Sequence, residues 1–572
     1  MQDIFDKLYE KSCNGYKFND LMNIISNKSN ILLAYRNIKN NRGSNTKGTD
    51  GRTISHYKEW SEEKFVRYFQ EKLQNYFPKS VRRVNIPKPN GKIRPLGIPC
   101  MDDRIIQQCI KQVLEPICEA KFHKHSYGFR PNRATSHAIA RMYNLMKQSR
   151  LHYVVDIDIK GFFDNVQHGK LMKQLWSIGI QDKNLLSVMS KILKSEIDGE
   201  GIPTKGVPQG GIISPLLSNV VLNELDWWLS DQWETLETRH TYSTGHKFRA
   251  LKTTNLKEFF FVRYADDFKI LCRDYKTAQI MLTATKDWLK ERLGLDISPE
   301  KSKITNLRKR KAEFLGFEIY VKKKRNEYVT QSNISSKAAK TMTEKLQKQI
   351  RVIQHKPTHQ EAIKLNAKII GFHQYYQLAT NASRTFHDID FIVRKSLENR
   401  LKKTLTTKQK RSRSYLRIYG KYKTGKVYTV ARVVLFPIYG CTFKAPMNFK
   451  PEINNYTEHG RTLIHDKLSG TSSYFPYLLS SKYANYPVEY LDNRISLMAA
   501  QNGKCFITKR PLEIGNMECH HKKPKHLGGT DEYKNLVWVS SPIHKLIHAT
   551  RAETINKYLQ MLKLNDEQLK KS

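Results

Sequence analysis

The chain has 572 residues, too many for one compact domain and enough for roughly three or four. Hydrophobic residues make up 39% and charged residues 27%, a balance that can build sizeable cores and excludes global disorder. Lys and Arg number 99 against 53 Asp and Glu, and the formal net charge of +46 calls for a polyanion, nucleic acid first and an anionic membrane surface second.

In chain order, MQDIFDKLYEKSCNGYKF opens with Asp3, Asp6 and Glu10 among few apolar residues. A secretory signal needs a basic start and an apolar stretch, and a transit peptide avoids acids, so neither is expected. An intracellular protein follows, from bacterial cytoplasm or encoded in an organelle. No apolar run approaches the ~20 residues of a membrane helix, so no membrane partner is expected. Residues 40–52 (NNRGSNTKGTDGR) read as a basic loop. Residues 79–98 predict a strand, a turn at Pro89-Asn90-Gly91 and a second strand. Ile105, Ile106, Ile110, Val113, Leu114 and Ile117 recur at helical spacing over 102–122. In 152–166, Val155, Ile157 and Ile159 alternate with Asp156 and Asp158, which predicts a half-buried strand. A Gly-rich turn opens a helix in 206–229, and FFFVRYADDFKILC (259–272) predicts a hairpin with Asp266 and Asp267 at its tip. An amphipathic helix is expected over 286–300, ending near Gly294, then a strand around Phe314–Tyr320. Helices dominate beyond it, to about 420. The eight cysteines are scattered, which excludes a disulfide scaffold.

Two adjacent aspartates at a hairpin tip raise each other's pKa unless a cation joins them. Asp158 projects from the end of another predicted strand. If those strands are neighbours, the carboxylates can hold two Mg²⁺ ions, ~4 Å apart, that activate a 3′-hydroxyl and stabilise a leaving pyrophosphate. An isolated Asp-Asp is usually an ordinary turn, but here it stands in order with IRPLGIPCMDDRIIQ (93–107), SYGFRPNRATSHAI (126–139), DIDIKGFFDNV (156–166), GVPQGGIISPLLSN (206–219), SPEKSKI (298–304) and FLGFEI (314–319). Through these segments the chain resembles group II intron-encoded reverse transcriptases.

That resemblance implies an α/β multidomain fold: right-hand polymerase fingers and palm of antiparallel sheet plus helices, a helical thumb, and a further C-terminal domain. It makes Asp158, Asp266 and Asp267 the catalytic triad, with Asp158, Asp266, Asp267 and the carbonyl of Ile159 as metal ligands. Period-2 geometry alone does not separate Asp158 from Asp156. Phe163 corresponds to the ring against the nucleotide 2′ position, or is core packing. Lys88 and Arg94 correspond to the cations on the incoming triphosphate, Gln209 to a residue against the template–nucleotide pair, and Lys301 to a proton donor for pyrophosphate, or an exposed helix-end lysine.

Near the C-terminus, CHHKKPKHLGGTDEYKNLVWVSSPIHKLIH (519–548) carries four histidines. His544 and His548, four apart, share a helix face and can grip one metal ion; His520 can supply a third imidazole. His521 is then a general base that activates water against a phosphodiester, oriented by Asn535. The spacing resembles the HNH, or ββα-metal, nuclease domain that follows the polymerase in one branch of the same family. Relatives frame that domain with two CxxC pairs. Here the corresponding positions read Cys505-Phe-Ile-Thr508 and Ser540-Ser-Pro-Ile543. Three thiols are missing, so structural zinc is not expected, and the fold must rest on packing by Leu536, Val537 and Trp538.

Residues 301–450 hold 35 Lys and Arg against 8 Asp and Glu, and no acid stands between Asn399 and Pro451. Solvation does not require so long an acid-free run, which favours a polyphosphate-binding surface. IIGFHQYYQLA (369–379) resembles the helical signature of the family's thumb, or maturase, domain, where Tyr375 and Tyr376 either stack on bases or pack a helix core. The expected organisation is fingers and palm at 1–330, thumb at 331–445, a DNA-binding segment at 446–490 and the HNH domain at 491–572. The function implied is a reverse transcriptase and maturase of a mobile intron. It binds intron RNA, assists splicing, nicks a DNA target and copies RNA into cDNA from dNTPs, with two Mg²⁺ in the polymerase site and one divalent ion in the HNH site. A homodimer is left open. The alternative is a splicing-only RNA-binding maturase with relict catalytic domains.

Overall fold

A four-stranded antiparallel sheet organises the central part of the chain, in the order Phe259–Tyr264, Asp267–Cys272, Tyr153–Ile157, Lys303–Asn306. The computed structural model describes residues 1–87, 91, 93–407, 410–422, 426–465, 474–478 and 486–569. They fold as two units, one of Met1–Phe122, Phe163–Val221 and Glu452–Ser572, the other of His123–Phe162 and Leu222–Pro451.

The four-stranded sheet belongs to the second unit. Its hairpin strands are almost wholly buried, and Phe261, Phe268, Ile270 and Leu271 are each no more than 1% exposed. Full burial of such side chains stabilises by roughly 1.5–3 kcal/mol each. Helix Tyr275–Trp288 packs on this sheet, and a five-residue π-turn, Leu289–Leu293, extends it to Gly294. This helix starts earlier than the apolar pattern predicts. Asp274 caps it, its side chain accepting from Thr277 N at 2.8 Å. The single strand expected around Phe314–Tyr320 is two: Ala312–Phe314 and Phe317–Lys324 turn on Leu315 and Gly316, at φ 52° and 81°, and Glu327–Ile334 completes a three-stranded sheet. Helices Ser336–His355, His359–Tyr376 and Ala382–Arg400 follow, the first packing against both others. Ser335 and Thr358 cap the first two through their hydroxyl oxygens.

In the first unit, Arg82–Pro87 and Ile93–Ile98 pair as the expected antiparallel hairpin, from Arg82 opposite Ile98 to Pro87 opposite Ile93. Pro89 and Asn90 of its turn lie outside the described residues. Helix Met101–Glu119 starts with Asp102 and Asp103 in its first turn, where carboxylates suit the helix dipole. Tyr68 donates to Asp102 at 2.8 Å, and Tyr76 donates to Asp103 at 2.9 Å. Toward the C-terminus, strands Met517–His521 and Leu536–Ser540 pair antiparallel and lead directly into helix Ser541–Ile547. Leu536, Val537, Trp538 and Cys505 are buried in a core with Leu497, Met498 and Ile543. Parts of the expected DNA-binding segment, 466–473 and 479–485, lie outside the described residues.

Candidate active sites

The strand register gathers the polymerase-type carboxylates. Asp156 lies opposite Lys269 and Ile157 opposite Phe268, so Asp158, one step on, faces the position of Asp267. Tyr264 and Asp267 close the hairpin, with Ala265 and Asp266 as its turn. Beyond the strand, Ser298 N donates to Asp158 O at 2.7 Å, Lys160 N donates to Asp296 O at 2.8 Å, and Ile159 bridges Ile297. The backbone that carries Asp158 and the Ile159 carbonyl is therefore clamped.

The turn is held from behind. Arg263 is 1% exposed and donates from Nε and Nη2 to the buried carboxylate of Asp226, at 2.7 and 2.5 Å, and from Nη1 to Ala265 O at 2.8 Å. Ala265 has φ 59°, and the backbone of Gly128 lies so close that a Cβ there would sit 2.2 Å from Ala265 N.

Geometry also separates two aspartates that alternation leaves equivalent. Asp156 is tied to the buried ammonium of Lys269 at 2.6 Å, and the same ammonium reaches Asp267 at 2.7 Å. Burial alone would lower the Lys269 pKa, but Asp267 and Asp156 overcome it and hold the group above the ordinary lysine range. Asp158 keeps 39% of its side chain exposed and meets Lys301 at 2.8 Å. Burial pushes the Asp267 carboxyl up, and the charges of Asp156 and Asp266 add to it against Lys269. Carboxylates crowded at one strand end are a donor set suited to a hard divalent cation.

The other polymerase-type residues lie in the first unit. Arg94 is exposed on the second hairpin strand, opposite Ile86. Gln209 is half-buried and its carbonyl accepts from Gly97 N at 2.7 Å. The approach is tight: a Cβ on Gly210, at φ +113°, would lie 2.4 Å from Gly97 O. Phe163 is half-buried and its carbonyl accepts from Val207 N at 2.7 Å, so Phe163 and the Pro-Gln-Gly turn are tied to one loop system. Lys88 lies outside the described residues. Tyr375 and Tyr376 pack in the second unit against Phe317, with ring centroids 5.8 and 5.6 Å away, and Tyr375 donates to Leu315 O at 3.0 Å. Both tyrosines are half-buried.

The histidine constellation assembles in the first unit. His520 sits on the first strand of the ββα element, His544 on its helix and His548 at the helix C-cap. One ring nitrogen from each lies within 4.8 Å of the others. Among the described residues this is the one His, Cys, Asp or Glu group so converged; the carboxylates above, drawn onto lysines, are not. Burial, then the other two rings, lowers the His520 pKa to about 4, and burial lowers that of His544. Imidazoles this close fit one divalent ion.

His521 points elsewhere, as expected for a residue one step along a strand. Its Nε2 meets Asp531 Oδ1 at 2.7 Å, and its ring stacks on Tyr490 with centroids 5.6 Å apart. Asn535 makes no hydrogen bond to it. The Asn535 amide instead accepts from Lys523 N at 2.8 Å and donates to the carbonyls of Lys523 and Thr530, cross-linking the loop between the strands. The group that orients His521 is Asp531, which sequence reading missed, although TDEY stands within the motif. Lys525 holds the second Asp531 oxygen at 2.9 Å, and Asn493 donates to its carbonyl.

Residues 86–319 match the family described as reverse transcriptase (RNA-dependent DNA polymerase), and residues 339–420 match the group II intron, maturase-specific domain. Neither match extends past residue 420. Protein YkfC of Escherichia coli (strain K12) is 32% identical over 305 residues, 50% of this chain and 79% of YkfC. Group II intron-encoded protein LtrA of Lactococcus lactis subsp. cremoris is 33% identical over 336 residues, 51% of this chain and 55% of LtrA. The putative COX1/OXI3 intron 1 protein of Saccharomyces cerevisiae is 31% identical over 355 residues, 56% of this chain and 41% of the yeast protein. The chain thus spans about half the length of these two intron proteins.

Proposed function

The chain belongs to the group II intron reverse transcriptase and maturase family, and on that premise we propose that it is an RNA-directed DNA polymerase that binds its intron RNA, assists splicing and copies that RNA into DNA at a nicked target. The register that sets Asp158 opposite the position of Asp267, with Asp266 in the adjoining turn, is the observation that carries this reading. Asp158, Asp266 and the Ile159 carbonyl, helped by Asp267, would hold two Mg²⁺ ions. Bound there, the ions supply a more acidic primer 3′-hydroxyl and charge neutralisation at the leaving pyrophosphate. Lys88 and Arg94 bind the triphosphate, Gln209 backs the template–nucleotide pair, and Phe163 packs against the sugar. Lys301 is the acid that protonates pyrophosphate. The acid-free run from Asn399 to Pro451 binds RNA phosphates, contacts that position rather than specify.

The C-terminal ββα element is a DNA-nicking nuclease in this reading. His520, His544 and His548 would hold one divalent ion, which stabilises the leaving 3′-oxygen. Asp531 fixes the His521 ring, leaving Nδ1 to take the proton of the attacking water. The nick exposes a 3′-hydroxyl, the primer that the polymerase needs.

The test is extension of a DNA primer on an RNA template with Mg²⁺ and dNTPs, beside an Asp266→Ala control. Labelled cDNA that vanishes in the variant is expected. Folded, RNA-binding protein that makes no cDNA would leave the splicing role, with the nuclease as the remaining enzymatic activity. In a DNA-nicking assay, His521→Ala is expected to lose cleavage and keep cDNA synthesis.

A further inference from the structure

The helical segment of the second unit carries a half-open cavity of about 430 Å³, within the ~300–1,000 Å³ of small-ligand sites. Its lining mixes aliphatic side chains with aromatic rings, Phe391, Tyr428, Phe436 and Tyr439 among them. His387 stacks on Tyr439 with centroids 5.5 Å apart at 24°, and the Tyr428 hydroxyl is fixed by Glu398, so these planes are set in advance. One carboxylate, Asp390, lines the cavity, with Arg394 and Lys426 as cations. The Asp390 side chain is 13% exposed, and the ion pair with Arg394 is long, 3.8 Å. Burial outweighs that pair and pushes the carboxyl above its ordinary range. A ligand that donates two N–H groups would relieve it.

We propose that this cavity receives one unpaired guanine of the bound RNA, stacked on the rings, with Asp390 accepting from its N1–H and exocyclic amino group. Guanine alone among the four bases offers two adjacent donors on its Watson–Crick edge; adenine, cytosine and uracil each set an acceptor beside their donor. Unstacked bases held on aromatic faces and read along that edge are the usual mode of sequence-specific RNA recognition. The wall from Lys426 to Tyr439 lies inside the acid-free run 399–451, which carries 14 Lys and Arg and suits a phosphate backbone better than a protein partner. The inference rests on the RNA-binding reading above.

It is tested with the full chain and five labelled RNA hairpins, one fully paired and four with a single bulged G, A, C or U. The bulged-G hairpin is expected to bind roughly tenfold more tightly than the others, the discrimination of one good bidentate contact. Asp390→Asn should erase that preference and leave the fully paired hairpin unchanged. Phe391→Ala should weaken it equally, and because Phe391 is 55% exposed its loss leaves the core intact. Equal affinity for all five hairpins, or a preference that survives both variants, overturns the inference while RNA binding stands. If no hairpin binds, the RNA-binding reading itself falls and takes the inference with it. Tight binding of free GMP without discrimination among bulges overturns the assignment to RNA.

Discussion

Ala265 shows how much of the polymerase-type site is built by residues that touch no substrate. Its φ of 59° is unfavourable for a residue with a side chain, and the Arg263 guanidinium and the Gly128 backbone hold it there. Gly128→Ala would drive a methyl group into the Ala265 amide and shift the turn that carries Asp266 and Asp267. A displacement near 1 Å costs on the order of 10²-fold in rate. Primer-extension kcat should therefore fall by about that factor in Gly128→Ala, with the helical content by circular dichroism unchanged. At this scale the candidate side chains were legible and their supports were not. YADD and HH…N…H…H announce themselves because their chemistry admits few residue types. Lys269, Arg263 and Asp531 look like ordinary charged residues until the fold brings Lys269 to Asp156, 113 positions away, and Arg263 to Asp226, 37 positions away. Asn535 is the converse, a motif residue whose amide serves the loop backbone rather than His521.

At the scale of the element, helix His359–Tyr376 contains a buried histidine that should make the helical segment acid-sensitive. His373 Nε2 faces Ile438 O and Nδ1 faces the Tyr419 hydroxyl, both at 2.8 Å, so the ring is neutral, donating to the carbonyl and accepting from the phenol. Burial lowers its pKa from 6.5 to about 4. Between those values the unfolded chain binds a proton that the folded chain does not, so the contribution is complete above pH 6.5 and is lost as pH falls through about 4. Its ceiling is about 3 kcal/mol. Hydrogen exchange over 336–441, corrected for intrinsic rates, should show protection lower at pH 5 than at pH 7.5, with His373→Gln flattening that difference. The ββα element makes a second prediction. An ion bound only by the folded state, at about 100 times its Kd, adds about 2.7 kcal/mol. Scanning calorimetry should show Zn²⁺ raising the melting temperature of this element, EDTA reversing the rise, and His544→Ala removing it. Hairpins and the helix end near Gly294 were legible at this scale where one signal was strong. The turn at Leu315 and Gly316 was hidden inside an apolar run, and the helix start at Tyr275 depended on Asp274, a cap that apolar periodicity does not register.

For the whole molecule, the charge of +46 sets the behaviour toward nucleic acid. A contact that neutralises roughly 6–10 phosphates loses on the order of 10³–10⁵ in affinity between about 50 and 200 mM salt. RNA-binding isotherms should show that steep dependence in the wild type and in Asp266→Ala alike. The double change Lys402→Ala and Lys403→Ala, at two exposed cations of the acid-free run, should lower the salt slope by about one to two. No helix among the described residues is long and apolar enough to cross a membrane.

The sequence by itself determined the candidate chemical groups and their order along the chain: the carboxylates, the histidines and the cationic run between them. Metal binding, proton transfer and phosphate neutralisation accept few side chains, and strand and helix periods fix which of them share a face. Only the tertiary structure decided which acid is locked to a buried cation and which meets an exposed one. Asp156 and Asp158 are equivalent by alternation, and they separate because Lys269, buried on a neighbouring strand, reaches one, while the other ends the strand beside solvent. Solvation and charge pairing depend on distance through space, and the register of paired strands, which no local period encodes, sets that distance.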